Sequence, residues 1–278
     1  MTETHSPHPA HIHPTAIVDP SAKIGEGVVI GPYAVIGPDV QIAPHVSIGA
    51  HAIVEHARLG THCKIHPHAF VGTPPQDLKY KGEKTHVRIG AHTVIRECVT
   101  VNRGTTASGE TVVGENCLLM AYSHVAHDCV VGNNVIMANV ATLAGHVHVE
   151  DSAVLGGLVA IHQYVRIGQG AMLGGGSMVA QDVAPFCMTQ GDRAVIVGLN
   201  VVGLRRRGLS PESLSALKNA YKIAFLSGLN LPEAVAQIEK HHMPKEVRLF
   251  ADFLKKPSHG LCRPPVKIIE KDLEAEGA

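Results

Sequence analysis

An aliphatic residue or methionine recurs at every sixth position along most of this chain. The longest unbroken series comprises Val113, Leu119, Val125, Val131, Met137, Leu143, Val149, Leu155, Ile161, Ile167, Leu173 and Val179. A period of six fits neither an α-helix nor the alternation of an ordinary strand. It is typical of a chain that turns a corner after each short strand and winds a parallel β-helix. Three hexads make one triangular coil, so positions that are three hexads apart are predicted to stack.

An earlier series has the same period and joins the later one after a change of phase. Its members are Ile12, Val18, Ile24, Ile30, Ile36, Ile42, Ile48 and Val54, followed one residue early by Leu59, Ile65 and Val71, and then by Ile89, Ile95 and Val101. Glycine often follows the aliphatic residue, as at Gly25 and Gly31, and we expect it to relax a tight corner. A small or β-branched residue such as Ala34 stands four positions after the aliphatic one, which suits the narrow interior of a prism.

Two stretches interrupt the repeat without changing its phase. In the first, the expected apolar positions hold Asp77 and Glu83, and the segment contains two prolines and many charges. Because a buried coil would not accept those charges, residues 73–86 are predicted to form a loop ejected from a corner. The second interruption is shorter and places Ala107 at the expected apolar position.

The period of six disappears after Pro185, and helical spacing replaces it. Ser210 followed by Pro211 resembles a helix start. A second helix is predicted to begin after Asn230, and a third is expected within residues 244–256. We therefore predict frayed residues at 1–11, a β-helix over 12–190, a small helical domain over 191–262 and a flexible tail over 263–278.

Composition argues against several classes of function. The formal net charge is zero, which gives no general attraction to nucleic acid, and no apolar run is long enough to span a membrane. The first residues lack the basic and apolar regions of a signal peptide. Cys63, Cys117 and Cys129 take the small interior position of the repeat, and no two cysteines are spaced as CxxC. Buried free thiols suit a reducing compartment, so a cytoplasmic location is expected.

The chain has 20 histidines, most of them at repeat corners, where a polar side chain meets solvent. Four of them, His124, His127, His146 and His162, form a different pattern. Gly145 lies one full coil, or three hexads, after His127 and is predicted to stack beside it, with His146 next to it. His162 follows His127 by two coils less one residue, which is about 10 Å along the axis. We therefore predict that the four histidines cluster near one edge of the prism.

Three interpretations of this cluster are open from spacing alone. The first is a ladder of solvated corner histidines with no chemical role. The second is a metal site, because histidine is a common zinc ligand and one class of carbonic anhydrase builds a three-histidine zinc site on this kind of helix. The third is acid–base catalysis in which Gly145 supplies a bare backbone N–H. For the chain as a whole, a non-catalytic trimeric scaffold is a further alternative.

The hexad repeat resembles the left-handed β-helix superfamily, which includes acetyltransferases and carbonic anhydrases. More specific segments are QDLKY at 76–80, IRECVTVNRGT at 95–105, HVAHDCVVGN at 124–133, ATLAGHV at 141–147, IHQY at 161–164, GGSMVAQDVAPF at 175–186 and GLNVVGLRRRG at 198–208. Together, and in this order, they resemble the bacterial UDP-N-acetylglucosamine O-acyltransferases, which carry out the first step of lipid A synthesis. The resemblance covers residues 12–262.

The resemblance implies a homotrimer with active sites in the clefts between neighbouring prisms, and it implies no metal or other cofactor. The donor would be a 3-hydroxyacyl chain on acyl carrier protein, and the acceptor would be the 3-hydroxyl of UDP-N-acetylglucosamine. His127 matches the general base and Gly145 matches the oxyanion donor. Asp128 follows the base directly, and we expect its side chain to face away because adjacent strand residues alternate.

The resemblance also assigns a set of substrate-binding positions. They are Gln76, Asp77, Lys79, His124, His146, His162, Gln163, Asn200 and Arg206. Asp77 and Lys79 lie on the ejected loop and match residues that contact the sugar and the acyl or phosphate groups. Arg206 belongs to a run of three arginines suited to diphosphate or phosphopantetheine, for which a solvated loop is the alternative. Basic residues near the domain junction suit docking of the acidic acyl carrier protein.

Gly175 matches the position that closes the far end of the lipid groove in this family. Glycine leaves room there, which favours a long acyl chain. Arg193 and Val202 depart from residues found in some relatives. The length and hydroxylation of the acyl chain, and the use of a 3-amino sugar as acceptor, stay open.

Overall fold

The computed structural model describes residues 9–256 and 259–265. Short strands, numbered in chain order, form three sheets that enclose a continuous core, and four helices follow them. The predicted parallel β-helix is therefore confirmed.

Sheet A contains β1 (His11–Ile12), β4 (Val29–Ile30), β7 (Ser47–Ile48), β10 (Lys64–Ile65), β13 (Val94–Ile95), β16 (Leu118–Leu119), β19 (Ile136–Met137), β22 (Val154–Leu155), β25 (Met172–Leu173), β27 (Cys187–Gln190) and β28 (Val195–Leu199). Sheet B contains β2 (Ile17–Val18), β5 (Val35–Ile36), β8 (Ile53–Val54), β11 (Phe70–Thr73), β14 (Thr100–Asn102), β17 (His124–Val125), β20 (Thr142–Leu143), β23 (Ala160–Ile161) and β26 (Met178–Val179). Sheet C contains β3 (Lys23–Ile24), β6 (Gln41–Ile42), β9 (Ala57–Leu59), β12 (His86–Ile89), β15 (Glu110–Val113), β18 (Val130–Val131), β21 (His148–Val149) and β24 (Arg166–Ile167).

Strand pairing follows the hexad series in register. Val113 pairs with Val131, which lies one full coil later. Ile48 pairs with Ile65, although the change of phase makes the coil between them one residue shorter, so the missing residue does not disturb the ladder. Ile65 pairs in turn with Ile95 across the ejected segment. The interruptions are therefore additions at corners, and the stack of coils continues beneath them.

The core consists of the aliphatic residue of each hexad and the small residue four positions later. Both sets are buried almost completely through the middle of the prism, and the small set includes Cys63, Cys117 and Cys129. Burying an aliphatic side chain contributes about 1.5–3 kcal/mol before chain entropy is subtracted. All six cysteines are free.

Glycine at the corners has a different role from the expected one, which was to relax a tight turn. A Cβ added to Gly25 would lie 2.8 Å from the backbone of Ala43 in the next coil, so glycine is required there for the close approach of two coils. The left-handed conformation is adopted by other residues, among them His45 with φ 61° and Asp128 with φ 59°. Histidine, asparagine and aspartate are enriched in that conformation, which explains their frequency at the corners.

The helices are α1 (Val201–Arg206), α2 (Pro211–Phe225), α3 (Leu231–Ile238) and α4 (Lys245–Leu254). The three helices expected from the sequence are present. The Ser210 side chain accepts a hydrogen bond from the Ser213 N–H and caps α2, while Asn230 and Glu233 form a capping box on α3. The short helix α1 was not predicted.

The chain boundaries also differ from those expected. His11 and Ile12 form β1, so the frayed start does not reach residue 11. Strands β27 and β28 form an antiparallel hairpin that extends sheet A to Leu199, although the helical domain was expected to begin at residue 191. The hairpin is missed because it no longer follows the period of six.

Residues near the carboxyl end of the chain return to the β-helix. The Asp182 N–H donates to the Gly260 carbonyl at 3.0 Å, the Cys262 N–H donates to the Asp182 carbonyl at 2.9 Å, and the Ile196 N–H donates to the Arg263 carbonyl at 3.1 Å. Most of the predicted tail, residues 266–278, lies outside the described residues. Among the described residues, no helix has the length and apolar character needed to cross a membrane.

Matched substitutions in one strand of the core test this packing. Ile30→Ala removes a fully buried side chain from β4, whereas Val29→Ala removes its outward neighbour, which is 47% exposed. We expect Ile30→Ala to lower the free energy of unfolding by about 2–5 kcal/mol and Val29→Ala to lower it by less than about 1 kcal/mol. Denaturant unfolding at one protein concentration measures both. Equal losses would contradict the assignment of the inward face.

Candidate active site

The centre of the site is a buried pair of neighbouring side chains, His127 and Asp128, at the corner after β17. His127 Nδ1 lies 2.7 Å from Asp128 Oδ2, and the two residues are 7% and 5% exposed. The expectation that Asp128 faces away was wrong. Strand alternation does not extend to a corner residue with φ 59°, and the carboxylate turns towards the imidazole beside it.

A cradle of hydrogen bonds from the shorter interruption, residues 103–109, holds the Asp128 carboxylate. The Thr105 N–H donates to Oδ1 at 2.9 Å, the Thr105 hydroxyl donates to Oδ2 at 2.7 Å, and the Ser108 hydroxyl donates to Oδ1. Burial would raise the pKa of Asp128, but the hydrogen bonds from Ser108, His127 and Thr105 outweigh it and lower the pKa to about 2. The carboxylate is therefore ionised at neutral pH.

This pairing fixes the tautomer of His127. An ionised carboxylate only accepts hydrogen bonds, so the proton shared with Asp128 belongs to Nδ1. In the neutral imidazole, Nε2 then carries a lone pair and is able to accept a proton. A carboxylate that orients a histidine in this way also stabilises the imidazolium that forms when the ring accepts a proton.

Gly145 lies beside His127 one coil later, as predicted. The His146 N–H donates to the His127 carbonyl at 3.0 Å and links the two corners. A Cβ added to Gly145 would lie 2.6 Å from His127 Cε1 and 2.7 Å from Nε2. Only glycine therefore fits against the imidazole in its present position.

The backbone N–H of Gly145 stands at a corner position whose N–H donates no hydrogen bond to the backbone of the neighbouring coil. Other hexads hold Pro32, Pro38 and Pro44 at this position, and proline has no N–H to lose. The hydrogen bonds recorded for the described residues include none donated by the Gly145 N–H. A donor next to Nε2 of His127 is thus available to a bound molecule.

His146 and His124 lie around the central pair. The His146 ring meets the His127 ring edge-on with centroids 5.1 Å apart and stacks on Tyr164 at 4.6 Å. His124 Nδ1 is 2.7 Å from the Thr100 hydroxyl. Burial lowers the pKa of both histidines, so both rings favour the neutral form.

His162 occupies a more open position than the other three histidines. Its Nδ1 lies 3.1 Å from the Gln163 carbonyl, and its ring stacks on His259 at 5.5 Å. It is exposed, whereas His127 is buried. A ladder of solvated corner histidines therefore describes other columns, such as His45 and His62, and does not describe His127.

The metal interpretation has one supporting observation. Ligand atoms of His127, Asp128 and His146 lie within 4.8 Å of one another. The Asp128 oxygens, however, already accept hydrogen bonds from Thr105, Ser108 and His127. An ion at this position would have to displace those donors, so the arrangement fits a hydrogen-bonded carboxylate–imidazole pair better than a ligand set.

Two family models match the chain. The model described as Udp N-acetylglucosamine O-acyltransferase, domain 2, matches residues 182–262, and the bacterial transferase hexapeptide model matches residues 21–56 and 110–145. An acyl-[acyl-carrier-protein]–UDP-N-acetylglucosamine O-acyltransferase of Chlorobaculum parvum is 60% identical over 206 residues, which are 73% of this chain and 78% of that protein. The chain belongs to the UDP-N-acetylglucosamine O-acyltransferase family.

Other members of this family agree in sequence and in structure. The enzyme of the same name from Thermodesulfovibrio yellowstonii is 51% identical over 208 residues, covering 74% of this chain and 80% of that one. The structure of the UDP-N-acetylglucosamine acyltransferase from Bacteroides fragilis matches with a TM-score of 0.89 at 39% identity, over 91% of this chain and 100% of that one.

The ejected loop carries three of the expected binding residues. Gln76 and Lys79 are exposed, and Asp77 is half-buried. The Asp77 carboxylate accepts a hydrogen bond from the Lys79 N–H at 2.9 Å.

The expected binding residues of the domain junction have different surroundings. Asn200 caps α1: its Oδ1 accepts from the Gly203 N–H at 3.0 Å, and its Nδ2 donates to the Gly170 carbonyl at 3.2 Å. Both polar ends of Asn200 are thus engaged within the fold. Arg206 is exposed at the end of α1, whereas Arg207 donates to the Gly203 and Gly170 carbonyls. Of these two arginines, Arg206 is the one available to a phosphate.

Sequence reasoning missed Thr105 and Ser108, which hold Asp128, and Tyr164, which stacks on His146. The available signal for the first two was the second interruption itself, because an insertion rich in hydroxyl groups lies one coil before the corner of Asp128.

Gly175 lies against the Gly157 carbonyl, and a Cβ added to it would be 3.2 Å from that oxygen. Even a methyl group at Gly175 would therefore press on the neighbouring coil.

The Asp128 cradle leads to a prediction about stability in acid. The pKa of Asp128 is lower in the folded protein than in the unfolded chain, so its contribution is present above the unfolded pKa and is lost as pH falls through the folded pKa, between about pH 4 and 2. Ser108→Ala removes one donor and raises the folded pKa. We expect a loss of about 1.5–3 kcal/mol of unfolding free energy at pH 7 and a smaller further loss in acid.

Thermal unfolding from pH 7 to pH 2.5 measures this difference. Ser47→Ala serves as the control, because Ser47 is an exposed serine of β7. An acid profile of Ser108→Ala that matches those of the wild type and of Ser47→Ala would show that the Ser108 hydroxyl does not hold the carboxylate.

Proposed function

We propose that this protein transfers a 3-hydroxyacyl chain from acyl carrier protein to the 3-hydroxyl of UDP-N-acetylglucosamine by direct attack, with His127 as general base. The family carries out this acyl transfer as the first step of lipid A synthesis. The observation that carries the proposal is the arrangement of His127, whose Nδ1 is held by buried Asp128 while its Nε2 lies beside the bare corner of Gly145.

The reaction needs a base because the sugar hydroxyl has a pKa far above 7. Nε2 of His127 takes the hydroxyl proton as the oxygen forms a bond to the thioester carbonyl carbon. The carbonyl oxygen becomes an oxyanion, and the Gly145 N–H donates to it, which is worth about 3–4 kcal/mol in comparable sites. When the C–S bond breaks, the imidazolium returns the proton to the departing thiolate. Atoms and charges balance without a covalent enzyme intermediate.

Binding of the acceptor rests on the residues that approach this centre. Asp77, Gln76 and Lys79 would contact the sugar and the acyl or phosphate groups from the ejected loop. Arg206 would bind the diphosphate or the phosphopantetheine, since its guanidinium is exposed at the end of a helix. His124, His146, His162 and Gln163 would line the same edge, and Asn200 would act through the α1 turn that it caps.

The assembly we propose is a homotrimer with acyl carrier protein docked near the domain junction. The outward positions of the central strands of sheet A support it because they are apolar: Val94, Leu118, Ile136, Val154 and Met172. An apolar stripe of this kind suits contact with another copy. Arg205 and Lys218 flank a small groove between α1 and α2, which would suit an acidic carrier protein. Gly175 would leave the acyl groove open for a long chain.

The general base is tested by His127→Ala. We expect kcat to fall by at least about 10²-fold, while the protein stays folded at the assay temperature and its oligomeric size stays unchanged. Release of product from 3-hydroxyacyl carrier protein measures the rate, and no acyl-enzyme should be trapped by rapid quenching. Near-normal turnover by His127→Ala, or an acyl group bound covalently to the protein, would contradict direct attack. Stoichiometric zinc together with bicarbonate hydration would instead favour a zinc hydratase.

Gly145→Ala tests the proposed role of the Gly145 corner beside His127. The added methyl would lie 2.6 Å from His127 Cε1, so we expect the ring to move and kcat to fall by about 10²-fold. Gly157→Ala is the control for the fold, because its methyl meets only the Asn139 carbonyl at 3.4 Å. Gly145→Ala with wild-type kcat would mean that the ring and this corner are not in contact during catalysis.

A further inference from the structure

The ejected loop is attached to the β-helix through a buried arginine that lies outside the catalytic centre. Arg103 is 9% exposed and follows β14 directly. Its Nη1 donates to the Gly72 carbonyl at 2.7 Å and to Glu55 Oε1 at 3.1 Å, and its Nε donates to the Tyr80 hydroxyl at 3.0 Å. One guanidinium therefore joins the prism corner at Glu55, the start of the loop and the middle of the loop.

Tyr80 extends this contact across the loop. Its hydroxyl accepts from Arg103 and donates to the Glu83 carbonyl at 2.9 Å, and the Arg103 guanidinium lies 5.5 Å from the centre of the Tyr80 ring. The Tyr80 N–H donates to the Asp77 carbonyl at 3.0 Å. The tyrosine thus connects the arginine to Asp77, one of the expected binding residues, because its hydroxyl binds Arg103 and its backbone N–H binds the Asp77 carbonyl.

Little else holds the middle of the loop. Residues 74–85 contain no helix or strand. Of the hydrogen bonds and ion pairs described for residues 74–84, the only other one that reaches the prism is the Lys84–Asp39 pair at 3.5 Å, and both of its side chains are more than half exposed. An exposed pair of this kind contributes about 0–1 kcal/mol. Among these polar contacts, those of Arg103 and Tyr80 therefore provide the main attachment of the loop.

The root of the loop is fixed by the same strand end. The Arg103 N–H donates to the Thr73 carbonyl at 3.0 Å, and Asn102 Nδ2 donates to the Thr73 hydroxyl at 3.1 Å. An arginine suits this position because its planar fork of donors reaches several acceptors at once, whereas a lysine offers a single point of charge. The buried charge is matched by Glu55.

We propose that Arg103 and Tyr80 are positioning residues that hold the loop in the conformation that binds the acceptor, a nucleoside-diphosphate sugar. This inference rests on the proposed function for the identity of the acceptor. Loss of the contact leaves the dyad of His127 and Asp128 in place and frees the loop. The affinity for the nucleotide sugar then falls, because ordering the loop becomes part of the cost of binding.

The sharpest test is Tyr80→Phe, which removes one oxygen atom and keeps the ring. We expect KM for UDP-N-acetylglucosamine to rise about 10-fold, as is typical for loss of a hydrogen bond to a charged group. The kcat at saturating concentrations of both substrates should stay within about twofold. Tyr33→Phe is the matched control, because Tyr33 is an exposed tyrosine at a distant corner. Arg103→Lys should show the same split as Tyr80→Phe.

Limited proteolysis gives a readout that does not depend on activity. Lys79, Lys81 and Lys84 are exposed cleavage sites for trypsin within the loop. We expect Tyr80→Phe to be cut there at least about fivefold faster than the wild type and Tyr33→Phe, with the thermal midpoint unchanged. Equal rates of loop cleavage, or an unchanged KM for the nucleotide sugar, would overturn the proposal. Absence of acyl transfer by the wild type would refute the proposed function instead, and cleavage rates would still test the contact.

Discussion

The structure depends on hydrogen bonds between the backbones of successive coils. These bonds join each coil to the next at every strand and again at corners, as where the His146 N–H meets the His127 carbonyl. Within an uninterrupted run of hexads, this ladder determines the edge and the coil of a residue from its position in the sequence. The chemistry follows from it, because the contact between Gly145 and the His127 ring is a contact between consecutive coils. Extra chain enters only where it leaves and returns at one corner, as between Thr73 and His86.

Both departures from the repeat serve the same edge of the prism. The longer one supplies the loop with the expected acceptor-binding residues, and the shorter one supplies the hydroxyl groups of Thr105 and Ser108 that hold Asp128. They meet at the end of β14, where Arg103 contacts the first and begins the second. A single turn of backbone thus supports both the loop and the ionised carboxylate. The regular coils provide stability and spacing, whereas the irregular segments provide polar partners that a repeat has no means to place.

The repeat itself could be predicted from sequence because its period is set by packing of aliphatic side chains in a narrow prism. The stacking of Gly145 on His127 followed by counting one coil. The orientation of Asp128 could not be found in this way, since it depends on a left-handed corner and on donors 20 and 23 residues earlier. The hairpin of β27 and β28 was missed because its antiparallel strands no longer follow the period of six that marks the repeat. Asn200 was expected to bind substrate, and its role as the cap of α1 could not be seen from the motif.

The prolines at the corners have a wider meaning for how such a prism acquires chemistry. Pro32, Pro38, Pro44 and Pro67 occur where an amide hydrogen has no task in the ladder. The same position recurs once per hexad, and where it is not a proline its N–H is left by the ladder for a side chain or a bound molecule. Asn133 already uses one such donor by accepting from the Glu115 N–H at 2.8 Å. A reactive centre of this type therefore needs no separate anion-binding pocket. A glycine in place of a proline at one corner, with an imidazole one coil earlier, is enough to provide an N–H donor that stabilises an oxyanion.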